Sequence, residues 1–190
     1  MTSSDIRIQK AFDWLKKENG ENFLLSEEYC PTRDVFGARL GRMAQEMEKR
    51  EFLKETYALL AAIAGEIGNN AFDHNLGSWH DVPGIYFVYD LENRFMVIAD
   101  RGQGLLATLK RVAPELQTEN QAIKMAFTKV ISGRSPERRG NGLKFVESVV
   151  HQYHLKINFY SNDGMYIINQ GLHEGDVEQH LKGVLAVINF

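Results

Sequence analysis

Three polar residues at a spacing of four stand at the end of an apolar run, in the segment EIGNNAFDHN. Glu66, Asn70 and His74 would therefore lie on one face of a helix. A carboxylate and an amide oxygen one turn apart suit a hard cation and a water, because the amide oxygen can bind Mg²⁺ and the carboxylate can accept a proton. Polar residues that fray at a helix C-terminus give the same pattern, so this motif alone leaves both interpretations open.

A second motif, in the segment VIADRGQG, follows a β-rich run. The strand would deliver Asp100 at its end, with Gly102 and Gly104 directly after it. Glycine permits positive φ and close approach of the backbone to a ligand, and a fixed carboxylate can accept a hydrogen bond from an exocyclic amine. Asp and Gly are also common in ordinary turns. Taken alone, this motif favours a simple strand–turn–helix junction.

A third motif combines glycines at a predicted helix start with nearby arginines, in the segment GRSPERRGNGLKFV. Its residues of interest are Arg134, Arg138, Arg139, Gly140, Asn141, Gly142 and Leu143. Backbone N–H groups at a helix N-terminus carry positive potential and bind phosphates. Arginine adds charge-assisted, often bidentate bonds to phosphate oxygens. A helix cap beside a solvated run of charges is the alternative interpretation.

The elements that must position these motifs change in character along the chain. Helical patterns cover 5–20, 32–50 and 51–74, the last apolar on nearly every side. Two β-rich runs follow around a turn at Leu91–Arg94, and a later hairpin turns at Asn162-Asp163-Gly164. Helices first, then mixed strands and helices, predict an α+β fold with a largely antiparallel sheet covered by helices on one face.

Composition narrows the class of protein. The 190 residues carry a net charge of −3, which gives no general attraction to nucleic acid or to anionic membranes. Cys30 is the single cysteine, which excludes an internal disulfide and a cysteine metal cluster. The N-terminal segment lacks a secretory apolar region, and no apolar stretch approaches the roughly 20 residues of a membrane span. We therefore expect a cytoplasmic protein.

The three motifs, in this order, resemble the GHKL superfamily of ATP-binding domains, which includes gyrase, Hsp90, histidine-kinase catalytic domains, MutL and the anti-sigma serine kinases. The resemblance runs from about Glu51 to the C-terminus. It implies a two-layer α/β sandwich, the Bergerat fold, with helices on one mixed, mostly antiparallel sheet. The chain would then comprise a helical extension at 1–50 and an ATP-binding domain at 51–190, with an ATP lid at about 104–139.

The resemblance also implies a role for residues of each motif. Asn70 would bind Mg²⁺, and Glu66 would act as a base or orient a water. Asp100 would accept a hydrogen bond from the adenine amino group. The other residues expected at the nucleotide are His74, Gly102, Gly104, Gly140, Asn141, Gly142 and Leu143, with Arg134, Arg138 and Arg139 near the γ-phosphate. The implied cofactors are ATP and Mg²⁺.

One position departs from the pattern of the family. Many members carry a threonine after the glycine that precedes the last strand, where its hydroxyl supports the contact between adenine and the aspartate. This chain has Val184 after Gly183. The hydroxyl that makes the second adenine contact in those members is therefore missing here.

Three functions stay open at this point. The first is a stand-alone ATPase or kinase subunit that phosphorylates a protein partner in trans, on Ser/Thr or histidine, since no histidine precedes His74. The second is a switch in which ATP closes the lid and the closed surface binds a partner, such as a regulatory antagonist, with little or no catalysis. The third is a scaffold that binds no nucleotide. We expect a protein partner rather than nucleic acid or membrane, and association of two copies stays open.

The arginines of the third motif give a testable prediction. If Arg134, Arg138 and Arg139 contact the γ-phosphate, their joint substitution by alanine weakens ATP binding much more than adenosine binding. Calorimetric titration of the triple variant with both ligands measures the difference. An equal loss of affinity for ATP and adenosine would contradict the assignment.

Overall fold

The computed structural model describes residues 3–129, 142–175, 177 and 179–190. Its helices are α1 (Ser3–Lys16), α2 (Arg33–Glu48), a 3₁₀ turn (Glu51–Leu53), α3 (Tyr57–His74), α4 (Gly104–Leu109), α5 (Glu119–Thr128) and α6 (Gly142–Gln152). Its strands are β1 (Tyr29–Cys30), β2 (Ile85–Asp90), β3 (Phe95–Asp100), β4 (Lys156–Ser161), β5 (Gly164–Ile168), β6 (Leu172–Gly175) and β7 (Val184–Asn189). No helix in these ranges is both long and apolar enough to cross a membrane.

The strands form one sheet in the order β1-β2-β3-β7-β4-β5-β6, and every neighbouring pair is antiparallel. Together with its layer of helices, this sheet confirms the predicted α+β class and two-layer arrangement. The turn predicted at Leu91–Arg94 joins β2 to β3, and Asn162 and Asp163 join β4 to β5. β7 pairs with β3 in a register that places Val184 opposite Asp100.

Alternate residues of the central strands point to opposite faces of the sheet and fill two cores. Met96 and Ile98 of β3 belong to the larger core, between the sheet and helices α2, α3, α5 and α6. Val97 and Ala99 belong to the smaller core, under α1. Because both faces are covered at this point, all six residues of β3 are buried.

The first two helices contribute to these cores. α1 gives the smaller core three buried residues, Ala11, Trp14 and Leu15. α2 begins after Thr32, whose hydroxyl accepts a hydrogen bond from the Val35 N–H, and gives the larger core Phe36, Met43 and Met47. The apolar stripes at 5–20 and 32–50 therefore pack inside the fold, and α1 adds a cover to the second face of the sheet.

The segment after β3 carries two short helices around a small apolar cluster of its own, made by Leu109, Ala113, Leu116 and Ala122. Thr118 is the N-cap of α5. Its hydroxyl accepts from the Gln121 N–H, and the Gln121 side chain accepts from the Thr118 N–H, which forms a capping box. α5 is thus an ordered helix in the region predicted to be the lid.

The packing of α2 on α3 gives a prediction, because it depends on a glycine. A Cβ at Gly68 would overlap the ring of Phe36. Gly68→Ala therefore forces the ring to shift, and we expect the free energy of unfolding to fall by about 1–3 kcal/mol. Gly41, on the exposed face of α2, has nothing within 4 Å of an added Cβ.

The matched control is Gly41→Ala, which should raise the free energy of unfolding by up to about 1 kcal/mol because alanine is the better helix former. Urea denaturation of both variants and the wild type measures the two effects. Substitutions that change stability in the same direction and by the same amount would show that the contact with Phe36 does not decide the outcome.

Candidate functional site

A cleft of about 390 Å³, partly open to solvent, lies among α3, α4, α6 and the ends of β3 and β7. The sequence-predicted residues that line it are Asn70, His74, Asp100, Gly104, Leu143 and Val184. Other lining residues are mostly apolar: Ile67, Ala71, Leu105 and Phe159. Residues from all three motifs therefore meet at one cleft.

Asp100 is the last residue of β3 and is 5% exposed. Its Oδ1 accepts hydrogen bonds from Asn75 Nδ2 at 3.0 Å and from the Gly102 N–H at 2.9 Å. Burial raises the pKa of this carboxyl to about 7, although both hydrogen bonds act to lower it. The Oδ2 atom has no partner among the described residues, so it is the atom that can accept a hydrogen bond from a ligand.

Asn75 is a site residue that the sequence motifs do not single out. It is 4% exposed and lines the cleft directly after the end of α3. Besides its bond to Asp100, its Oδ1 accepts from the Gln103 N–H at 3.1 Å. The predicted face of α3 ends at His74, so helical spacing could not place the next residue. Asn75 thus joins the first motif to the second.

Glycine is required at each position of the second motif for a different structural reason. Gly102 lies directly against the Asn75 side chain, where a Cβ would overlap the amide group. Gly104 opens α4 with φ of +79°, a conformation that favours glycine. Gly183, before Val184, has φ of +117° and packs against the carbonyl oxygen of Asp100. Two strand ends can therefore approach each other closely beneath the cleft.

A buried carboxylate outside the motifs supports the start of α4. Glu119 is 8% exposed, and its Oε2 accepts from Ser161 Oγ at 2.7 Å and from the Leu106 N–H at 3.1 Å. Its Oε1 accepts from Asn162 Nδ2 at 2.7 Å. Asn162 in turn accepts from the Gly183 N–H at 3.0 Å. Four segments that surround the cleft are thus joined by one network.

Glu66 and Gly142 lie next to each other although they are far apart in sequence. α6 begins at Gly142, as predicted, and an added Cβ there would overlap Glu66 Oε2. The Glu66 side chain is exposed, so its carboxylate can meet both solvent and a ligand. Arg134, Arg138, Arg139, Gly140 and Asn141 lie outside the described residues.

The groups available to a metal ion are few. Among the residues that the structure describes, no three His, Cys, Asp or Glu side chains cluster as a metal site. Asn70 offers an amide oxygen at the cleft, and Glu66 precedes it by one turn of α3. Mg²⁺ commonly uses one or two protein ligands together with waters and substrate phosphates. An amide oxygen and a carboxylate one helical turn apart fit that requirement.

The buried carboxyl gives a prediction on pH dependence. The pKa of Asp100 is about 7 in the folded state and about 3.9 in an unfolded chain. The native state therefore binds the extra proton between these values, and the contribution of Asp100 to stability is lost as pH rises through 7. Asp100→Asn keeps an oxygen that can accept from Asn75 and Gly102 but removes the titration.

Without ligand, we expect the wild type to lose stability relative to Asp100→Asn as the pH rises from 5 to 8. The difference between their free energies of unfolding should change by on the order of 2 kcal/mol in favour of Asp100→Asn. Urea denaturation at the two pH values measures the gain. Glu51→Gln, at a side chain that is 91% exposed, should show no comparable gain. Parallel pH profiles of the wild type and Asp100→Asn would contradict the raised pKa.

Comparison with known proteins returns no family model that matches the chain, and no curated protein matches it either. The function must therefore be argued from the cleft and its residues.

Proposed function

We propose that this chain binds Mg-ATP in the cleft and acts as a histidine-kinase-like ATPase or kinase subunit in signalling. The observation that carries the proposal is the buried Asp100 carboxylate in the wall of an otherwise largely apolar cleft. A buried carboxylate is costly unless a partner pairs with it. A ligand with an exocyclic amine on a flat apolar ring supplies that partner, and adenine has this chemistry.

The walls of the cleft suit the two faces of a purine. Ile67, Leu105 and Phe159 offer apolar surface, while Asp100 Oδ2 accepts from the amino group. Val184 stands opposite Asp100 and brings no hydroxyl to the site. We therefore assign recognition of the adenine amino group to Asp100 alone, held in place by Asn75.

The triphosphate would extend toward the start of α6. Backbone N–H groups at a helix N-terminus favour phosphate oxygens, and Leu143, in the first turn of α6, lines the cleft. Asn70 would hold Mg²⁺, which supplies charge neutralisation at the phosphates when it is bound. In this proposal Gly142 offers its backbone to the phosphates, and the contacts of Gly140, Asn141 and the preceding arginines stay predictions from the sequence.

Glu66 is the group that we assign to proton transfer. Its carboxylate is exposed and lies at the first residue of α6, on the side of the proposed phosphates. It would accept the proton from an attacking water or from the hydroxyl or imidazole of a partner protein. We propose that the phosphoacceptor belongs to such a partner, and that both act in the cytoplasm.

A second candidate function is a nucleotide-dependent switch with little or no catalysis. The contact between Glu66 and Gly142 favours it, because Glu66 Oε2 and the start of α6 share space that a phosphate would need. Binding of ATP would then shift α6. A ligand can shift such an equilibrium only by its difference in affinity for the two states.

Substitution of Glu66 separates the two candidates. If the chain is a catalyst, Glu66→Ala lowers turnover by about 10²–10⁴-fold, the usual contribution of a general base, and leaves the affinity for Mg-ATP nearly unchanged. Calorimetric titration gives the affinity, and phosphate release or label transfer from γ-labelled ATP, with candidate partners present, gives the turnover. A wild type that binds Mg-ATP but never turns it over favours the switch.

Two further measurements test the binding itself. Mg-ATP should raise the melting temperature of the wild type, since a ligand that binds only the folded state stabilises it. Asn70→Ala should weaken Mg-ATP but not adenosine, and the exposed control Glu51→Ala should change neither. A melting temperature that does not respond to excess Mg-ATP would exclude both candidate functions.

A further inference from the structure

The residue between Asp100 and Gly102 has a charged side chain that is fully buried from solvent. Arg101 is 0% exposed, and a buried guanidinium must be paired because its desolvation is costly. Asp81 provides a bidentate partner, with Arg101 Nε at 2.6 Å from Oδ1 and Nη2 at 2.7 Å from Oδ2. Burial alone would raise the pKa of Asp81, but the hydrogen bonds from Arg101, Gly20 and Val82 lower it to about 2. The pair is therefore charged at neutral pH.

The remaining donors of Arg101 go to the C-terminal end of α1. Nη1 donates to the carbonyl of Trp14, and Nη2 donates to the carbonyl of Lys17 at 3.0 Å. The last carbonyls of a helix lack partners within it and carry negative potential. Arg101 thus satisfies the end of α1 from the strand end that also carries Asp100.

A second segment at the cleft holds the same end of α1. The Lys182 N–H donates to the carbonyl of Leu15 at 3.0 Å, and Lys182 Nζ lies 3.0 Å from the carbonyl oxygen of Glu18. Lys182 is followed by Gly183, which packs against Asp100, and by Val184, which lines the cleft. Both chain segments that meet beneath the cleft are therefore attached to α1.

Asp81 completes this junction. Its Oδ2 accepts from the Gly20 N–H at 2.7 Å, and Trp14 Nε1 donates to the Gly20 carbonyl at 3.1 Å. The His80 N–H donates to the Arg101 carbonyl at 2.9 Å. Displacement of α1 would remove carbonyl partners from a guanidinium that is shielded from water. The strand end at Arg101 would then have to rearrange, and Asp100 and Gly102 are its immediate neighbours.

We propose that Arg101 is a positioning residue for Asp100 and that it couples the docking of α1 to the affinity of the nucleotide site. This inference rests on the proposed function. α1 is then a regulatory arm: a factor that draws its C-terminal end away from the sheet weakens nucleotide binding. By thermodynamic reciprocity, bound nucleotide tightens the docking of α1 by the same factor.

The test compares Arg101→Met with Arg7→Met. Arg7 also attaches α1 to the sheet, through the carbonyl of Tyr89 at 2.9 Å, but at the end of β2 away from Asp100. We expect Arg101→Met to weaken adenosine and ATP equally, by about tenfold or more, a typical size for coupling between sites. Arg7→Met should leave both affinities unchanged. Equal effects of the two variants on affinity would overturn the proposal.

The reciprocal effect is measured on α1 itself. Lys16 and Lys17 are exposed at its C-terminal end and offer sites for trypsin. Saturating Mg-ATP should slow cleavage there and slow hydrogen exchange of the last turn of α1 in the wild type and in Arg7→Met, but not in Arg101→Met. Protection that is independent of nucleotide in the wild type, while nucleotide binds, would overturn the coupling.

Two measures keep the proposal distinct from the proposed function and from simple misfolding. In ligand-free protein, Arg101→Met should speed exchange of the Gly102 N–H, which bonds to Asp100 Oδ1, whereas Arg7→Met should not. This measurement tests the role of Arg101 independently of whether ATP binds. If Arg101→Met does not fold, Asp81→Asn replaces it, because it removes the charge of the partner and keeps its shape. Unchanged exchange at Gly102 in the folded variant would overturn the proposal.

Discussion

The Asp100 carboxylate lies at the end of β3, where almost no solvent reaches it. Burial of a charge is unfavourable unless hydrogen bonds or opposite charges compensate for it, and here two neutral donors, Asn75 and Gly102, act on one oxygen. Its pKa of about 7 expresses that incomplete compensation. The second oxygen of Asp100 can accept a hydrogen bond from a ligand. The residues around the cleft fix the position of this carboxylate.

Each neighbouring segment contributes to that rigidity from a different direction. Asn75 ties the end of α3 to the turn after β3. Glu119 joins the start of α4 to the end of β4 through Leu106 and Ser161. Arg101 ties the same strand end to α1. The glycines fit this scheme because they let backbones approach where a side chain would intrude. The cleft is thus a junction of segments that are distant in sequence.

Local features of the fold could be predicted from the sequence, because short-range chemistry determines them. The Thr118 cap, the turn at Asn162 and the helix start at Gly142 depend on neighbours within a few residues. The order of the three motifs along the sequence also predicts which residues meet at the cleft. It could not predict that Asp81 pairs with Arg101, or that Glu119 is buried, because an acidic residue in a loop or in a first helical turn usually faces solvent. Such partners are set by tertiary contacts that no spacing encodes.

The position of β7 has a consequence for assembly of the protein. This strand is the last in sequence yet occupies the middle of the sheet, between β3 and β4. The two halves of the sheet, β1–β3 and β4–β6, meet through it, so their inner edges stay unpaired until β7 inserts. Long-range pairing of this kind slows folding, and open apolar edges invite pairing with other chains. The cleft lies where the end of β3 meets the start of β7, so its walls are complete only after β7 has inserted.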